Sequence, residues 1–393
     1  MVSRSAGTAA SAIVRSADAD FIFILFVIGV RRCSPRKGSH ADSKRMSVPF
    51  PAPWFGGKSK VAAEVWARFG NPETYWEPFA GSLAVLLGRP DDHVWWRKIE
   101  TVNDLDGHVV NFHRSAALHP DDVASHASYP VTELDLTARH LALTEAAPGL
   151  ADQLRVDPDF CDPRLAGWWL WGLSCWVGGY WCSGKGNFQG VPDGATVFAK
   201  PPMVHGAHAG KGIHRQPSRA AEASTVTSTM NGDIAAAIAA VSNRLRRVRV
   251  TCGEWDRNAA SAIRAPRGKY SAVFLDPPYA LSGEGRTRHD HLYAVNDSNA
   301  DGTDPHIAAR EWALEHGDSS VRIAYCTYRN AEEDALFADA GWSRWGWTAS
   351  GGYALQSKGQ RSDGAANRHR EVIHFSPACE PGSGATPDVD GLF

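Results

Sequence analysis

The sequence has little of several features that would decide a protein class at once. Its 41 lysines and arginines stand against 43 aspartates and glutamates, for a net charge of −2. This balance excludes a uniformly basic, histone-like nucleic-acid binder, although a net count still allows a local basic face. The 7 cysteines form no CxxC pair, so we predict neither a disulfide framework nor a metal site. Reduced thiols in a cytoplasmic protein are the simplest interpretation.

Long apolar runs are also scarce. A membrane-spanning helix needs about 20 apolar residues, whereas the clearest run covers only residues 21–30. Asp18 and Asp20 precede this run and Arg31 and Arg32 follow it, and no small-residue cleavage pattern comes after it. We therefore expect neither a membrane span nor export.

Length and composition suit two domains, or one domain with a large insertion. With 393 residues and 43% apolar content, the chain can bury a sizeable core. Residues 1–45 differ in composition from the rest, so we interpret them as a disordered extension or as a translation start placed upstream of Met46. The remaining boundaries follow from where strands and helices alternate: an α/β domain over residues 46–115 and 245–378, an inserted region over 116–244 and a disordered tail over 379–393.

Apolar and β-branched segments predict an α/β sheet. Strand patterns occur at residues 74–77, 98–103, 247–252, 270–275, 321–325, 342–347 and 371–375. Alternation of these strands with helical segments favours an α/β fold. Between the second and third of these strands the alternation is lost, and tryptophans cluster at positions 168, 169, 171, 176 and 181. Such rings stack on bases or, more simply, fill a core.

The strongest local feature is the sequence FLDPPY at residues 274–279. The apolar run before it predicts a strand buried on both faces, and Asp276 at its carboxyl end faces the crevice where α/β folds bind ligands. Two prolines, Pro277 and Pro278, restrict the turn and leave carbonyl groups to accept hydrogen bonds, and Tyr279 offers a ring for stacking. Together these groups suit a planar, amino-bearing base. The alternative is a plain strand end with an exposed aspartate.

Two further segments carry glycines where a ligand could approach. Gly56 and Gly57 in the sequence PWFGGK allow close approach to the backbone, and Lys58 can reach an anion. Residues 74–104 predict a strand, a glycine turn, a helix that Ser82 could cap, a second strand and an acid. That order is similar to a nucleotide-binding βαβ half, although Leu83 stands where many such loops carry glycine.

Taken in order, WFGGK, EPFAGS, ND and DPPY resemble the Dam-like class of N6-adenine DNA methyltransferases. The resemblance covers residues 49–114 and 245–377. It implies a Rossmann-like class I methyltransferase sheet with helices on both faces and a target-recognition lobe in the inserted region. It also implies S-adenosylmethionine as cofactor, double-stranded DNA as partner, and methylation of the adenine N6 amine after base flipping.

The resemblance implies a role for each matched residue. The catalytic loop is Asp276, Pro277, Pro278 and Tyr279. Trp54 and Lys58 match positions that contact the cofactor, with Lys58 expected at the methionine carboxylate. Glu77, Phe79 and Gly81 match the first cofactor loop, and Asp104 matches the ribose-binding acid. Glu254 and Trp255 stand where the family often has Asp-Phe beside the cofactor adenine. The full cofactor set is Trp54, Gly57, Lys58, Glu77, Phe79, Gly81, Asp104, Glu254 and Trp255.

Other readings of the same residues stay open. Methylation of cytosine at N4 uses the same geometry, although serine more often replaces the aspartate at position 276. Methyl transfer to RNA, or to a protein amide with asparagine at that position, is a further alternative. A catalytically silent DNA-binding module that keeps the fold belongs to a different functional class. The recognition sequence, the oligomeric state and any restriction partner are not predicted.

Weaker candidates for DNA contact are basic residues outside these motifs. Arg244, Arg246 and Arg247 could meet phosphates, but arginines also suit the end of a helix. The arginines at positions 361, 368 and 370 are the better candidates for backbone contact. The histidines at positions 205, 208 and 214 lack neighbouring acids or cysteines, so we interpret them as part of a solvated loop.

Overall fold

The computed structural model describes most of the chain between residues 48 and 382. The described residues are 48–52, 54, 56–90, 93, 97–130, 132–175, 181–182, 188–190, 196–198, 234–278, 304–318, 320–347 and 371–382. The predictions made for residues 1–45, for Tyr279, for the histidine-rich stretch 205–214 and for the arginines between 361 and 370 lie outside these ranges.

Seven strands form one mixed sheet at the places that the sequence predicts. They are β1 (Thr74–Glu77), β2 (Ile99–Asp104), β5 (Val248–Cys252), β6 (Ser271–Leu275), β7 (Val321–Tyr328), β8 (Ser343–Gly346) and β9 (Glu371–Phe375). A separate antiparallel pair comprises β3 (Phe188–Gly190) and β4 (Thr196–Phe198). The order across the large sheet is β5-β2-β1-β6-β7-β9-β8. Its first five strands are mutually parallel, and β9 runs antiparallel to both β7 and β8.

Helices connect most of these strands. They are α1 (Ala62–Phe69), α2 (Ala84–Leu87), α3 (Gly107–Leu118), α4 (Pro120–Ala127), α5 (Glu133–Val156), α6 (Pro163–Cys175), α7 (Ile234–Leu245), α8 (Ala259–Ala262), α9 (Pro305–His316) and α10 (Ala331–Asp339). Asp106, Asp304 and Asn330 begin α3, α9 and α10, and each side chain accepts a hydrogen bond from the backbone N–H two residues on. These polar caps satisfy donors that the first helical turn leaves open.

Helices cover both faces of the sheet because strand side chains alternate between the faces. On one face Tyr75 and Phe274 pack in a core with residues of α1, α2 and α7. On the other face Trp76, Val273 and Leu275 pack in a core with residues of α8, α9 and α10. Every residue of β6 is buried, as expected for a strand covered on both sides. The predicted α/β sheet flanked by helices is confirmed.

The helices between β2 and β5 enclose a further core. It contains Phe112 of α3, Leu143 of α5, Trp169 of α6 and Ile238 of α7. Trp171 is also fully buried, so these two rings of the tryptophan cluster fill a core. The described residues belong to one compact unit, and α7 packs on α3 and α4. Helix α7, at the end of the segment 116–244, therefore belongs to the layer of helices that covers the sheet.

A buried carboxylate with two arginines connects α7 to the sheet. Glu100 of β2 accepts hydrogen bonds from Arg244 at 2.6 and 2.7 Å and from Arg89 at 3.0 Å. All three side chains are buried. Burial lowers the pKa of Arg89, and the charge of Glu100 opposes that shift. This arrangement buries Arg244, which argues against the alternative that Arg244 meets DNA phosphates.

The segment after β9 packs on the protein. The Cys379 N–H donates to the Ser376 carbonyl, and the Glu380 N–H donates to the Arg68 carbonyl. The Glu380 carboxylate also pairs with Arg322 at 2.7 Å. The sequence predicts a disordered tail from residue 379 onward. The first residues of that tail, Cys379 and Glu380, are instead held by these bonds. Residues 383–393 lie outside the described ranges. Among the described helices, none has the length and apolar character to cross a membrane.

Removing the charge of Glu100 should destabilise the fold because two buried guanidinium groups lose their shared partner. We expect Glu100→Gln to lower the free energy of unfolding by about 3 kcal/mol, measured by urea denaturation. Glu73→Gln is the matched control, because it removes the partly exposed partner of Lys98 and should cost less than about 1 kcal/mol. Equal losses in the two variants would contradict the stabilising role of this buried group.

Candidate active site

The site lies where the winding of the sheet reverses direction. From β1 the chain continues to β2 and β5 on one side, and β6 and β7 lie on the other side. Loops that leave the carboxyl ends of β1 and β6 therefore diverge and open a crevice between them, the usual ligand-binding position in such sheets. Residues 78–81 follow β1 and residues 276–278 follow β6, so both predicted motif loops border this crevice.

A buried ion pair joins the two most separated motifs. The Lys58 Nζ lies 2.7 Å from the Asp276 Oδ2 and donates to the Gly56 carbonyl at 2.8 Å. Gly57 donates its N–H to the Trp54 carbonyl at 3.3 Å, which closes the turn that presents Lys58. Burial is the largest influence on the pKa of Lys58 and lowers it, but the charges of Asp276 and Glu371, the nearby Cys326 and the hydrogen bond to Asp276 together raise the pKa. Lys58 therefore stays charged beside the Asp276 carboxylate.

A third charged residue reaches the same place from a distant strand. The Oε2 of Glu371, the first residue of β9, lies 4.0 Å from the Lys58 Nζ. Burial raises the pKa of Glu371, and the positive charge of Lys58 opposes that shift. Sequence reasoning missed Glu371. Glu371 reaches the site because β9 lies beside β7 and runs antiparallel to it. A local sequence motif cannot predict that strand order.

The glycine turn after β1 is held against the end of β2. Gly81 has a positive φ of 44°, and its N–H donates to the Asp104 Oδ2 at 2.9 Å. A Cβ at Gly81 would lie only 2.9 Å from the Trp54 indole nitrogen, so a side chain there would displace Trp54. His113 contacts the Gly81 carbonyl at 3.0 Å. Burial lowers the pKa of His113 to about 4, so its neutral ring donates this bond.

Leu83 takes the backbone conformation that glycine usually supplies. Its φ is 55°, in the left-handed region, where a leucine pays a steric cost of order 1 kcal/mol or more. Leu83 directly precedes α2, and no side chain at that position caps the helix. The predicted cap by Ser82 is therefore wrong. The first turn of α2 is satisfied from outside, because the Leu86 N–H donates to the Glu77 Oε2 at 3.2 Å.

The Glu77 side chain is buried and binds groups within the protein. The Tyr75 hydroxyl donates to the Glu77 Oε2 at 2.8 Å, and the same oxygen accepts the bond from Leu86. Burial raises the pKa of Glu77 to about 8, with a further rise from the nearby Asp276 charge. The predicted cofactor-loop residue thus supports the helix below the loop, and it carries a proton near neutral pH.

Asn103 and Asp104 tie together three loops at the crevice. The Asn103 side chain donates to the Pro78 carbonyl at 3.2 Å and to the Gly253 carbonyl at 2.8 Å. The Asp104 Oδ1 accepts the Asp106 N–H at 2.9 Å. Burial raises the pKa of Asp104 to about 7. The ends of β1, β2 and β5 are consequently held in one arrangement.

Aromatic rings form the side of the crevice beside β5. Trp255 follows Glu254 after β5 and stacks on Phe79 with ring centroids 5.7 Å apart and planes at 25°. Trp76 lies behind Trp255 at 6.2 Å. Phe79 is only partly buried and packs at the edge of this core. The structure thus brings together the β1 loop and the Glu254–Trp255 turn, as sequence reasoning expected.

The second aromatic group joins the lysine segment to the helical region. Trp54 lies 5.6 Å from Trp169 of α6 and 5.8 Å from Phe50. In the DPPY loop, Pro277 is buried and Pro278 is partly buried, and Tyr279 lies outside the described residues. Every other predicted site residue borders this one crevice or supports a loop that does.

Comparisons with known proteins do not assign a family. Neither the models of known protein families nor the curated proteins searched contain a match to this chain.

Glu77 should make stability fall as pH rises. Its folded-state pKa of about 8 exceeds its ordinary value of 4.5, so its stabilising contribution is complete below pH 4.5 and is lost as pH rises through 8. Glu77→Gln should flatten the decline in unfolding free energy over this interval, by about 1 kcal/mol per pH unit. Glu311→Gln, which alters an exposed carboxylate on α9, should retain the wild-type slope. An unchanged slope in Glu77→Gln would contradict the buried, protonated carboxyl.

Proposed function

We propose that this protein transfers the methyl group of S-adenosylmethionine to the N6 amine of adenine in double-stranded DNA, after the base is flipped out. The observation that carries the proposal is the ion pair of Asp276 with Lys58 at the crevice. It brings the DPPY and GGK motifs, which are more than two hundred residues apart, to one place. The strand order and the helices on both faces support the Rossmann-like class I methyltransferase fold that the motifs imply.

The crevice suits the cofactor in three respects. The Asp104 carboxylate lies at the end of β2, where a ribose-binding acid is expected. Gly81 lets Trp54 lie directly against the glycine turn, since a Cβ there would come within 2.9 Å of the indole nitrogen. Among the three described side chains that meet here, the two acids Asp276 and Glu371 outnumber the cation Lys58, and this surplus of acid favours a positively charged ligand. When bound, S-adenosylmethionine supplies an electrophilic methyl group on a cationic sulfonium.

Asp276 prepares the amine for attack. The lone pair of the adenine N6 is delocalised into the ring, so the amine is a poor nucleophile. Hydrogen bonds from its protons to the Asp276 carboxylate and to the Pro277 carbonyl localise that lone pair toward the methyl group. As N6 acquires positive charge, the nearby carboxylate stabilises it. Asp276 need not remove a proton before the transfer.

The helical region has a suitable position for recognising DNA. Trp169 of α6 packs against Trp54, so the segment between β2 and β5 contacts the turn that presents Lys58. A target-recognition element in this interval would be mechanically connected to the site. This arrangement supports the placement of DNA contacts in the inserted region.

The deciding experiment is long-read modification mapping of DNA from cells that express the chain or its Asp276→Ala variant. We expect N6-methyladenine in a defined sequence context with the wild type, and none with the variant. S-adenosylmethionine binding by the variant, measured by calorimetry, should persist at least in part. Asp276→Asn is the matched change that preserves side-chain volume, and it should also be inactive because an amide cannot stabilise the positive charge.

Other outcomes of the mapping would redirect the assignment. N4-methylcytosine would identify cytosine as the target. Transfer of radiolabelled methyl groups to RNA or protein but not to DNA would identify another substrate class. No transfer to any acceptor would indicate a silent binding module. Wild-type modification that persists in Asp276→Ala would eliminate the proposed role of this aspartate.

Gly81 should be required for cofactor binding. Gly81→Ala places a methyl group against Trp54 at a positive φ, so the loop must shift away from Asp104. We expect S-adenosylmethionine affinity to fall about 10-fold or more, measured by calorimetry. Gly149→Ala is the control, because a Cβ there meets no atom within 4 Å, and it should bind normally. Normal binding by Gly81→Ala would show that this turn does not contact the cofactor.

A further inference from the structure

Glu371 reaches the site because β9 runs against its neighbours. Its register partner is Tyr328, the last residue of β7. In an antiparallel pair the first residue of one strand lies beside the last residue of the other. The carboxylate of Glu371 therefore lies at the same edge of the sheet as Asp276, although the two residues are far apart in the chain.

Lys58 lies between two carboxylates at unequal distances. Its ammonium is 2.7 Å from Asp276 and 4.0 Å from Glu371, so it bonds the first and only approaches the second. The side chains of Lys58, Asp276 and Glu371 are 5%, 20% and 12% exposed. Among the described residues, no hydrogen-bond donor reaches the buried Oε2 of Glu371.

Because the two distances differ, a small movement of Lys58 toward Glu371 should cost little free energy. A buried carboxylate oxygen without a donor costs free energy, and a lysine side chain has a flexible stem that carries a compact charge. A shift of about 1 Å would turn the contact with Glu371 into a hydrogen bond. The ammonium would exchange one carboxylate for another, so the loss at Asp276 is offset by the gain at Glu371.

The proposed reaction requires such an exchange. Asp276 must accept the amine protons while positive charge develops on N6. An ammonium bonded to Asp276 competes for the same carboxylate and repels the developing charge. Transfer of Lys58 to Glu371 frees the Asp276 oxygen and neutralises the ammonium locally.

We propose that Glu371 is a positioning residue that receives the Lys58 ammonium when Asp276 binds the target amine. This inference rests on the proposed methyltransferase function. It assigns Lys58 to the control of Asp276, in place of the expected contact with the methionine carboxylate.

Titration of Lys58 tests the pairing without any catalytic assay. The groups that act on the charge of Lys58 include Asp276, Glu371 and the buried thiol of Cys326, and Glu77 acts in turn on Cys326. In protein with ¹³C-labelled lysine, the Lys58 signal is assigned through Lys58→Arg. We expect Lys58 to stay protonated to pH 10 in Asp276→Asn and in Glu371→Gln, since one carboxylate remains. The double variant should titrate at a lower pH than either single variant, because burial then acts after both carboxylate charges are removed.

Kinetics test the catalytic part of the proposal. Glu371→Gln should lower kcat about 10- to 100-fold, with S-adenosylmethionine affinity unchanged within about twofold because Glu371 acts through Lys58. Glu371→Asp should recover part of the activity, which a purely structural role would not predict. Glu380→Gln, a charge removal shortly after β9 and outside the crevice, should retain wild-type kcat.

The two measurements separate the possible failures. If Asp276→Asn alone lowers the Lys58 pKa as far as the double variant does, Glu371 is not a partner of Lys58 and the inference is wrong. If the pairing holds but Glu371→Gln keeps full kcat, the positioning role is wrong. If the wild type transfers no methyl group, the proposed function and the catalytic role of Glu371 fall together, and the Lys58 titration still reports the pairing.

Discussion

The buried ion pair of Lys58 with Asp276 is the constraint on which the site depends. Two opposite charges taken out of water stabilise each other, because a buried charge that loses its partner costs several kcal/mol. The pair connects the turn before α1 to the end of β6 at 2.7 Å. It therefore fixes where the GGK motif stands relative to the DPPY loop.

Hydrogen bonds to the backbone hold the other loops of the crevice in place. Asn103 reaches the loops after β1 and β5 with one amide group, and Asp104 receives the N–H of Gly81. A short polar side chain at the end of a central strand can thus hold several loops at once. The crevice depends on the rigid sheet for its position and on these two residues for its shape. The loops themselves contribute little regular structure.

The titratable groups around the crevice divide into charged and neutral members. Burial raises the pKa of Glu77 to about 8 and that of Asp104 to about 7, whereas Lys58 remains charged. Near neutral pH the proton on Glu77 keeps an additional negative charge away from Asp276. The negative charge is thereby concentrated at Asp276 and Glu371, which would stabilise a positively charged group in the crevice. The same burial makes the fold less stable as pH rises.

The sequence by itself determined the strands, because buried β-strands carry apolar, β-branched patterns, and it identified Lys58, Gly81, Asp104 and Asp276 through local motifs. Only the tertiary structure decided how those residues meet. Glu371 joins Lys58 because β9 is antiparallel, Arg244 turns inward to Glu100, and Leu83 adopts a conformation that its identity disfavours. These outcomes depend on strand order and on the compensation of buried charge, which are properties of contacts between distant segments. A local pattern records which residues are present, and the packing of the whole chain decides which charges become neighbours.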